Sequence, residues 1–318
     1  MPQSKSPTTE AVPIETRNGY GTTIAAVIHL PAGLDTGATH PAVVVSPSGG
    51  GVKEQTAGLY ASKLAANGLV AVAYDASFQG ESTGTPRQLE NPHLRTEDIS
   101  AVIDFVIRLP YVDTHRIGAM GICVGAGYSI NAAINDPRIK AVGTVSMVNI
   151  GHNFRNGWDG SVADADAAHM LAQGAAARIR DASGEGSERY LLAPRRKQDA
   201  QNREQEDEWE YYHTPRGQHP NAPGSMTARS LNQIITYDAF HKAEVYLTQP
   251  LLLISGSEDG ARWMTGEAHD RAASRDKALY VVDGANHMDL YDRQPYVDDV
   301  VSQLASFFAD RLSRSGAR

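Results

Sequence analysis

Residues 116–135 read RIGAMGICVGAGYSINAAIN. Arg116 to Met120 is a weak strand candidate and Cys123 to Asn135 a small-residue helix. Gly121-Ile122-Cys123-Val124-Gly125 forms the junction between them. This junction decides the fold, because a strand that runs straight into a helix is half of a β-α-β unit, and such units build parallel sheets. The same alternation extends outward on both sides. Toward the N-terminus, the β-branched run Ala42 to Ser46 ends abruptly in Pro47-Ser48-Gly49-Gly50-Gly51, which no regular element tolerates. QTAGLYASKLAANG follows, with Leu59, Leu64 and small alanines suited to a helix that Gly68 stops, and Leu69 to Tyr74 reads as a buried strand. Thr96, Glu97 and Asp98 read as a helix start, Ile99, Val102, Ile103 and Val106 share one helical face, and Pro110 marks the end. Beyond the junction, Ile139 to Met147 is a further strand. The order β-α-β-α-β-α-β predicts an α/β fold: a mostly parallel central sheet flanked by helices on both faces.

After residue 150 the rhythm breaks. Residues 151–249 are polar and irregular, with the charged stretch RRKQDAQNREQEDEWE and the Pro/Gly-rich TPRGQHPNAPG, before Pro250 to Ser255 resumes a buried-strand pattern. A structureless loop of that length is improbable in a compact domain, and ADADAAHMLAQGAAARIRDA and TARSLNQIITYDAF have helical character. The expected organisation is a core over residues 1–150, a mainly helical cap insertion over 151–249, and the rest of the core over 250–318. In that last part Ala278 to Val282 is the final strand and Pro295 to Leu312 the closing helix.

Composition narrows the chemistry. The formal net charge of −8 over 318 residues argues against nucleic acid or an anionic membrane surface as partner. The single cysteine forms no internal disulfide, which points to a reducing compartment. MPQSKSPTTEAVPIE lacks an apolar core of signal-peptide length, and no later stretch is long enough to cross a bilayer, so a cytoplasmic, soluble chain is expected. Nothing in the sequence decides for or against a homodimer.

The lone cysteine occupies the centre of a G-x-C-x-G pattern at a strand-to-helix junction. A nucleophile is exposed on a sharp turn of this kind, with no room for side chains at the flanking glycines. A sulfur at a helix N-terminus also feels the positive end of the helix dipole, which favours thiolate. Cysteine often merely packs, but the two glycines and the setting favour Cys123 as nucleophile. Of eleven histidines, His287 in GANH directly follows the last strand, where a base loop emerges above the sheet. His152, His213 and His219 lie in or beside the insertion, and His29 and His40 precede the glycine loop. Gly256-Ser257-Glu258-Asp259 follows the strand before, making Asp259 the expected acid and Glu258 the reserve. The Val124 amide and an amide of Gly49, Gly50 or Gly51 are the candidate oxyanion donors. No Gly-Lys-Ser/Thr follows the glycines, which disfavours a nucleotide loop. Dispersed histidines and one cysteine form no zinc-ligand pattern, and the chemistry requires no metal or organic cofactor.

With these residues in view, the chain resembles the dienelactone-hydrolase-like branch of the α/β-hydrolases, and more narrowly the group holding fungal polyketide transferases, thiohydrolases and many bacterial hydrolases. The matching stretches are GGGVKEQTAGLYASKLAANG, FQGESTGTPRQLENP, GICVGAGY, YYHTPRGQHPNAP and GANHMDLYD, spread from about residue 42 to 295. The resemblance implies an α/β-hydrolase fold with a cysteine-dependent triad in which Cys123 is nucleophile and His287 base. It also implies an ester, thioester or carrier-bound acyl substrate. Two positions depart from the group's pattern. Asp259-Gly260-Ala261 stands where it often has Ala-Asp-Thr, which would align the acid with Gly260, and Pro47-Ser48 stands where it tends to have His-Pro. Trp209, Tyr211, Tyr212 and Met226 of the insertion are candidates to line an apolar acyl pocket. A cyclase or synthase that releases product by intramolecular attack, and a non-catalytic binding protein on the same scaffold, remain alternatives.

Overall fold

The computed structural model describes residues 10–313. An antiparallel pair, β1 (Glu10–Arg17) and β2 (Thr23–Leu30), opens the chain. It is followed by β3 (His40–Ser46), α1 (Thr56–Ala66), β4 (Val70–Tyr74), α2 (Pro92–Val106), β5 (Val112–Ile122), α3 (Val124–Asn135) and β6 (Ile139–Val145). Then come α4 (Ile150–Asn156), α5 (Ala168–Ala182), β7 (Arg189–Leu191), α6 (Arg203–His213), β8 (Ser225–Thr227), α7 (Leu231–Ile234) and α8 (Ala243–Tyr246). The chain closes with β9 (Leu251–Gly256), α9 (Arg262–Arg271), β10 (Lys277–Val282), α10 (Asp289–Asp292) and α11 (Tyr296–Arg311).

Eight strands form one sheet in the order β1-β2-β4-β3-β5-β6-β9-β10, parallel from β4 to β10. This is the α/β-hydrolase architecture. The period-2 alternation of a strand sorts its side chains between two cores. Ala42 and Val44 of β3 join Val70, Val72, Ile117, Ala119 and Val142 beneath α2 and α3, whereas Val43 and Val45 join Ala71, Met120, Ile122 and Ile254 beneath α1 and α11. The chain runs from β3 to β4 on one side and then crosses to β5 on the other. The C-terminal ends of β3 and β5 therefore flank the point where strand order reverses, the place where open α/β sheets bind ligands.

The structure departs from the sequence reading in several places. β1 and β2 were not foreseen. Pro13 sits in β1, which a proline tolerates because that strand lies at the sheet edge and pairs only with β2. Helix α2 starts four residues before Thr96, at Pro92. Asn91 caps it, its side chain accepting from the amides of His93 and Leu94 at 3.1 and 3.3 Å, while Thr96 lies inside the helix and bonds back to the Pro92 carbonyl. The segment between β6 and β9 contains helices and also the antiparallel β7–β8 ribbon. Its last third belongs to the core: Leu231, Ile234, Tyr237, Phe240, Ala243 and Leu247 share the buried cluster of α2 and α3. No helix among the described residues is long and apolar enough to cross a membrane.

Candidate active site

β5 delivers Cys123 to the end of the sheet and α3 begins at the next residue. The turn is so tight that Cys123 takes φ +57° and ψ −126°, a region costly for a residue with a Cβ, on the order of 1–3 kcal/mol. Both flanking glycines are sterically required. A Cβ on Gly121 would overlap the Gly125 carbonyl, and one on Gly125 would overlap the carbonyls of Pro47 and Ser46. The strain is held by backbone bonds on both sides of the sulfur: the Cys123 amide donates to Val145 at 3.0 Å, and its carbonyl accepts from Val148 and Ala126.

His287 and Asp259 come from the loops after β10 and β9. Both are buried, and the imidazole Nδ1 lies 3.3 Å from the Asp259 carboxylate. The thiol of Cys123 is hydrogen-bonded to His287, to the Tyr291 hydroxyl and to the Gly49 amide. Burial alone raises the pKa of a thiol, but these three partners and the imidazolium charge outweigh it and hold Cys123 below its ordinary value. For His287 burial pulls downward, and the Asp259 carboxylate together with the thiolate raise it well above the usual histidine value. The two groups therefore favour a thiolate–imidazolium pair. Glu258, the reserve acid, points away: it is exposed and paired with Arg203 at 3.2 Å. At Gly260, the alternative alignment of the acid raised from the sequence, a Cβ would meet the Trp158 ring at 2.6 Å and the Glu204 carboxylate at 2.9 Å.

The glycine loop after β3 faces the same sulfur. Gly49 lies against Val124, and its amide donates to the Cys123 thiol. The Val124 amide opens α3 and has no intrahelical acceptor. Gly50 turns away with φ +66° toward Leu192. The Ser48 carbonyl is gripped by the Gly51 amide at 3.1 Å and by Arg95 at 3.4 Å, and Arg95 holds the Pro47 carbonyl at 2.8 Å. In a trans peptide the C=O and N–H point in opposite directions, so fixing the Ser48 carbonyl fixes where the Gly49 N–H points.

Helix α6 roofs a cavity of about 260 Å³ over the thiol. Glu204, Gln205, Glu208 and Tyr212 line it, spaced at helical intervals on one face. Tyr212 also reaches Ser48, hydroxyl to hydroxyl, at 3.1 Å. Trp209 and Tyr211 are not among the lining residues. Trp209, about 100° round the helix from Glu208, stacks on His213 and donates to the Arg195 carbonyl. Tyr211 is buried beside Tyr291 and accepts from the Thr56 amide. Met226 is buried in β8 outside the cavity. The apolar walls come instead from Val148, Ile150, Phe154, Trp158, Leu192 and Met288.

Four residues of the site carried no sequence signal of their role. Trp158 packs edge-on against His287, with ring centroids 4.8 Å apart. Glu204 ties the cap to both loops, accepting from the amides of Gly260 and His287 at 3.2 Å each and from the Trp158 indole at 2.7 Å. Tyr291, four residues after His287, reaches the sulfur, and Arg95 is a fully buried cation in the first turn of α2. Among the described residues, no three His, Cys, Asp or Glu side chains gather as a metal site would.

Comparison with known proteins agrees with this architecture. The chain is 58% identical over 289 residues to the uncharacterized protein YcjY of Escherichia coli (strain K12), covering 91% of this chain and 94% of that one. The crystal structure of the hypothetical protein PA2218 from Pseudomonas aeruginosa superposes with a TM-score of 0.87 at 33% identity, over 98% of this chain and 96% of that one. A shorter match links 117 residues, at 36% identity, to the thiohydrolase apmlB of Arthrinium phaeospermum, 36% of this chain and 37% of that one. With its parallel sheet, elbow and two post-strand loops accounted for, and the family model matching residues 38–294, the chain belongs to the α/β-hydrolase family described as serine aminopeptidase, S33, with cysteine at its elbow.

Proposed function

We propose that this α/β-hydrolase is a cysteine-dependent acyl-transfer enzyme acting on an ester or thioester. The observation that carries the reading is the Cys123 sulfur on a strained elbow, bonded to an imidazole whose other nitrogen meets a buried carboxylate. Thiolate attacks the substrate carbonyl, the C–S bond forms, and the carbonyl electron pair moves onto oxygen. The amides of Val124 and Gly49 receive that oxyanion, Gly49 exchanging the sulfur for it as the thiolate charge is consumed. Collapse expels the alkoxide or thiolate leaving group, which takes the proton from His287, leaving a thioester on Cys123. His287, now neutral, accepts a proton from water or an acceptor alcohol as that group attacks the acyl-enzyme, the C–S bond then breaks with its electron pair returning to sulfur, and the acid or new ester leaves the restored thiolate–imidazolium pair.

A thiol nucleophile suits thioesters, because exchange of one thioester for another is nearly isoenergetic, and the partial match to a thiohydrolase points the same way. At ~30 Å³ per water-sized group, a cavity of about 260 Å³ holds roughly eight such groups, a medium acyl chain. Turnover of N-acetylcysteamine and p-nitrophenyl hexanoyl esters by the purified chain, abolished in Cys123→Ala, is the expected result. Undiminished turnover in Cys123→Ala overturns the reading and favours a differently centred site, whereas turnover of no ester by the wild type favours a binding protein.

A further inference from the structure

The cavity contains one acid that neither the fold nor the proposed chemistry uses. Of the α6 residues facing it, Glu204 spends its two oxygens on Gly260, His287 and Trp158, and Tyr212 bonds Ser48. Glu208 lies one turn after Glu204 and one turn before Tyr212, lines the cavity with them, and receives no hydrogen bond from any described residue. Burial pushes its carboxyl up to about 7, against the pull of the His287 imidazolium and with the push of Glu204. Half-buried in the cavity wall with no donor from the described residues, this carboxyl has hydrogen-bonding capacity that a ligand can take up in place of water. The rest of the lining has the same bias: its charged residues are Glu90, Glu204, Glu208 and His287, with no lysine or arginine.

Resting on the reading of Cys123 as nucleophile, we infer that Glu208 is a specificity residue that accepts a hydrogen bond from a hydroxyl or ammonium group on the substrate's acyl chain, and that the cavity rejects acyl chains ending in a carboxylate. The donor would come from the substrate because the protein supplies none, and an anionic chain would meet Glu204 and Glu208 with no lysine or arginine in the lining, the His287 imidazolium being already paired with Asp259 and Cys123. Glu208 does not touch the reacting atoms in this assignment. It sets which chain is held over them.

The test is a matched set of N-acetylcysteamine thioesters: hexanoyl, 6-hydroxyhexanoyl, 6-aminohexanoyl and adipoyl. Relative kcat/KM values are measured on the full chain and on Glu208→Gln and Glu208→Leu. A site built to bond a donor discriminates against the analogue lacking it by at least about tenfold. The wild type is expected to favour the hydroxy or amino chain over hexanoyl by that factor and to turn over adipoyl slowest. The better of the two donor chains tells hydroxyl from ammonium. In Glu208→Leu the hydroxy-to-hexanoyl and amino-to-hexanoyl ratios should collapse toward one. In Glu208→Gln, which still accepts but carries no charge, the amino ratio should fall further than the hydroxy ratio. As a measurement needing no variant, 1,6-hexanediol or 6-aminohexanol should protect wild-type Cys123 from iodoacetamide better than hexanol or hexanoate. Equal ratios in wild type and Glu208→Leu, or a wild-type preference for adipoyl, overturn the assignment while hexanoyl turnover still upholds the nucleophile. No turnover of any probe, hexanoyl included, overturns both.

Discussion

Replacing Arg95 by methionine removes a guanidinium that is 1% exposed and pinned between the glycine loop after β3 and a buried acid. Its three polar contacts are the Pro47 carbonyl at 2.8 Å, the Ser48 carbonyl at 3.4 Å and Glu90 at 3.5 Å, and it lies over the Tyr128 ring. Removing one partner of a buried ion pair costs about 3–5 kcal/mol because the other charge is left bare. Here the lower end applies. The Glu90 contact is long, and the Tyr128 hydroxyl at 2.6 Å and Gln79 amide at 2.7 Å still donate to that carboxylate. The released Pro47 carbonyl adds about 1 kcal/mol, so the variant should lose about 4 kcal/mol in urea unfolding, read as a lower midpoint at constant slope. Activity should fall for a separate reason. With the Ser48 carbonyl no longer held, the Gly49 amide loses its aim, and loss of one oxyanion donor costs about 10²–10³ in kcat. Adding Glu90→Gln should restore about 2 kcal/mol of stability by removing the bare charge, without restoring kcat. The reasoning is refuted if Arg95→Met costs less than about 1 kcal/mol, or if the double variant recovers activity along with stability.

Further outcomes follow from neighbouring contacts. Asp259→Asn removes the charge that raises His287, so the imidazolium should give up its proton at lower pH and the Cys123 thiol should ionise at higher pH. Iodoacetamide alkylation near pH 6 should then slow strongly while the rate near pH 9 changes little; Glu258→Gln, altering an exposed pair, should leave the profile in place. In the wild type the raised His287 contributes stability below its unfolded pKa of ~6.5 and loses it as pH rises through the folded value. Glu204→Ala strips the acceptor from two amides and an indole, at about 1–3 kcal/mol; kcat should fall more than KM changes, tryptophan fluorescence should shift with Trp158, and unaltered kcat would count against the clamp. Trp209→Ala should change kcat/KM less than about threefold, about 0.6 kcal/mol by the usual conversion, whereas Trp158→Ala should reduce it at least about tenfold. The reverse ranking would place the acyl pocket on the other face of α6.

The sequence made the sheet legible where strands are buried on both faces. AVVVS, LVAVAY and PLLLIS are apolar on both faces up to their last residue, so no pairing information was needed to see them. The elbow was legible because close backbone approach leaves only glycine at 121 and 125. His287 and Asp259 were placed by following strands, since loops at the carboxyl ends of parallel strands converge. The cap was read poorly for a physical reason. A helix such as REQEDEWEYYH shows no apolar stripe, and its cavity face is built of Glu204 and Tyr212, whose partners are distant in sequence, and of Glu208, which has no hydrogen-bond partner among the described residues. Aromatic content favoured Trp209, while Trp158, in the short loop GWDGSVA after α4, is the indole that meets His287. Arg95 and Glu90 face each other across the start of α2, and only the folded chain shows that both are buried.

Trapping the intermediate tests the central claim most directly. The protein is mixed with hexanoyl-N-acetylcysteamine, quenched in acid within the first turnovers, digested and analysed by mass spectrometry. The account requires a hexanoyl adduct on the peptide bearing Cys123, absent from Cys123→Ala and accumulating when His287→Ala slows its release. Turnover with no adduct on that peptide, or an adduct on another side chain that persists in Cys123→Ala, would contradict it.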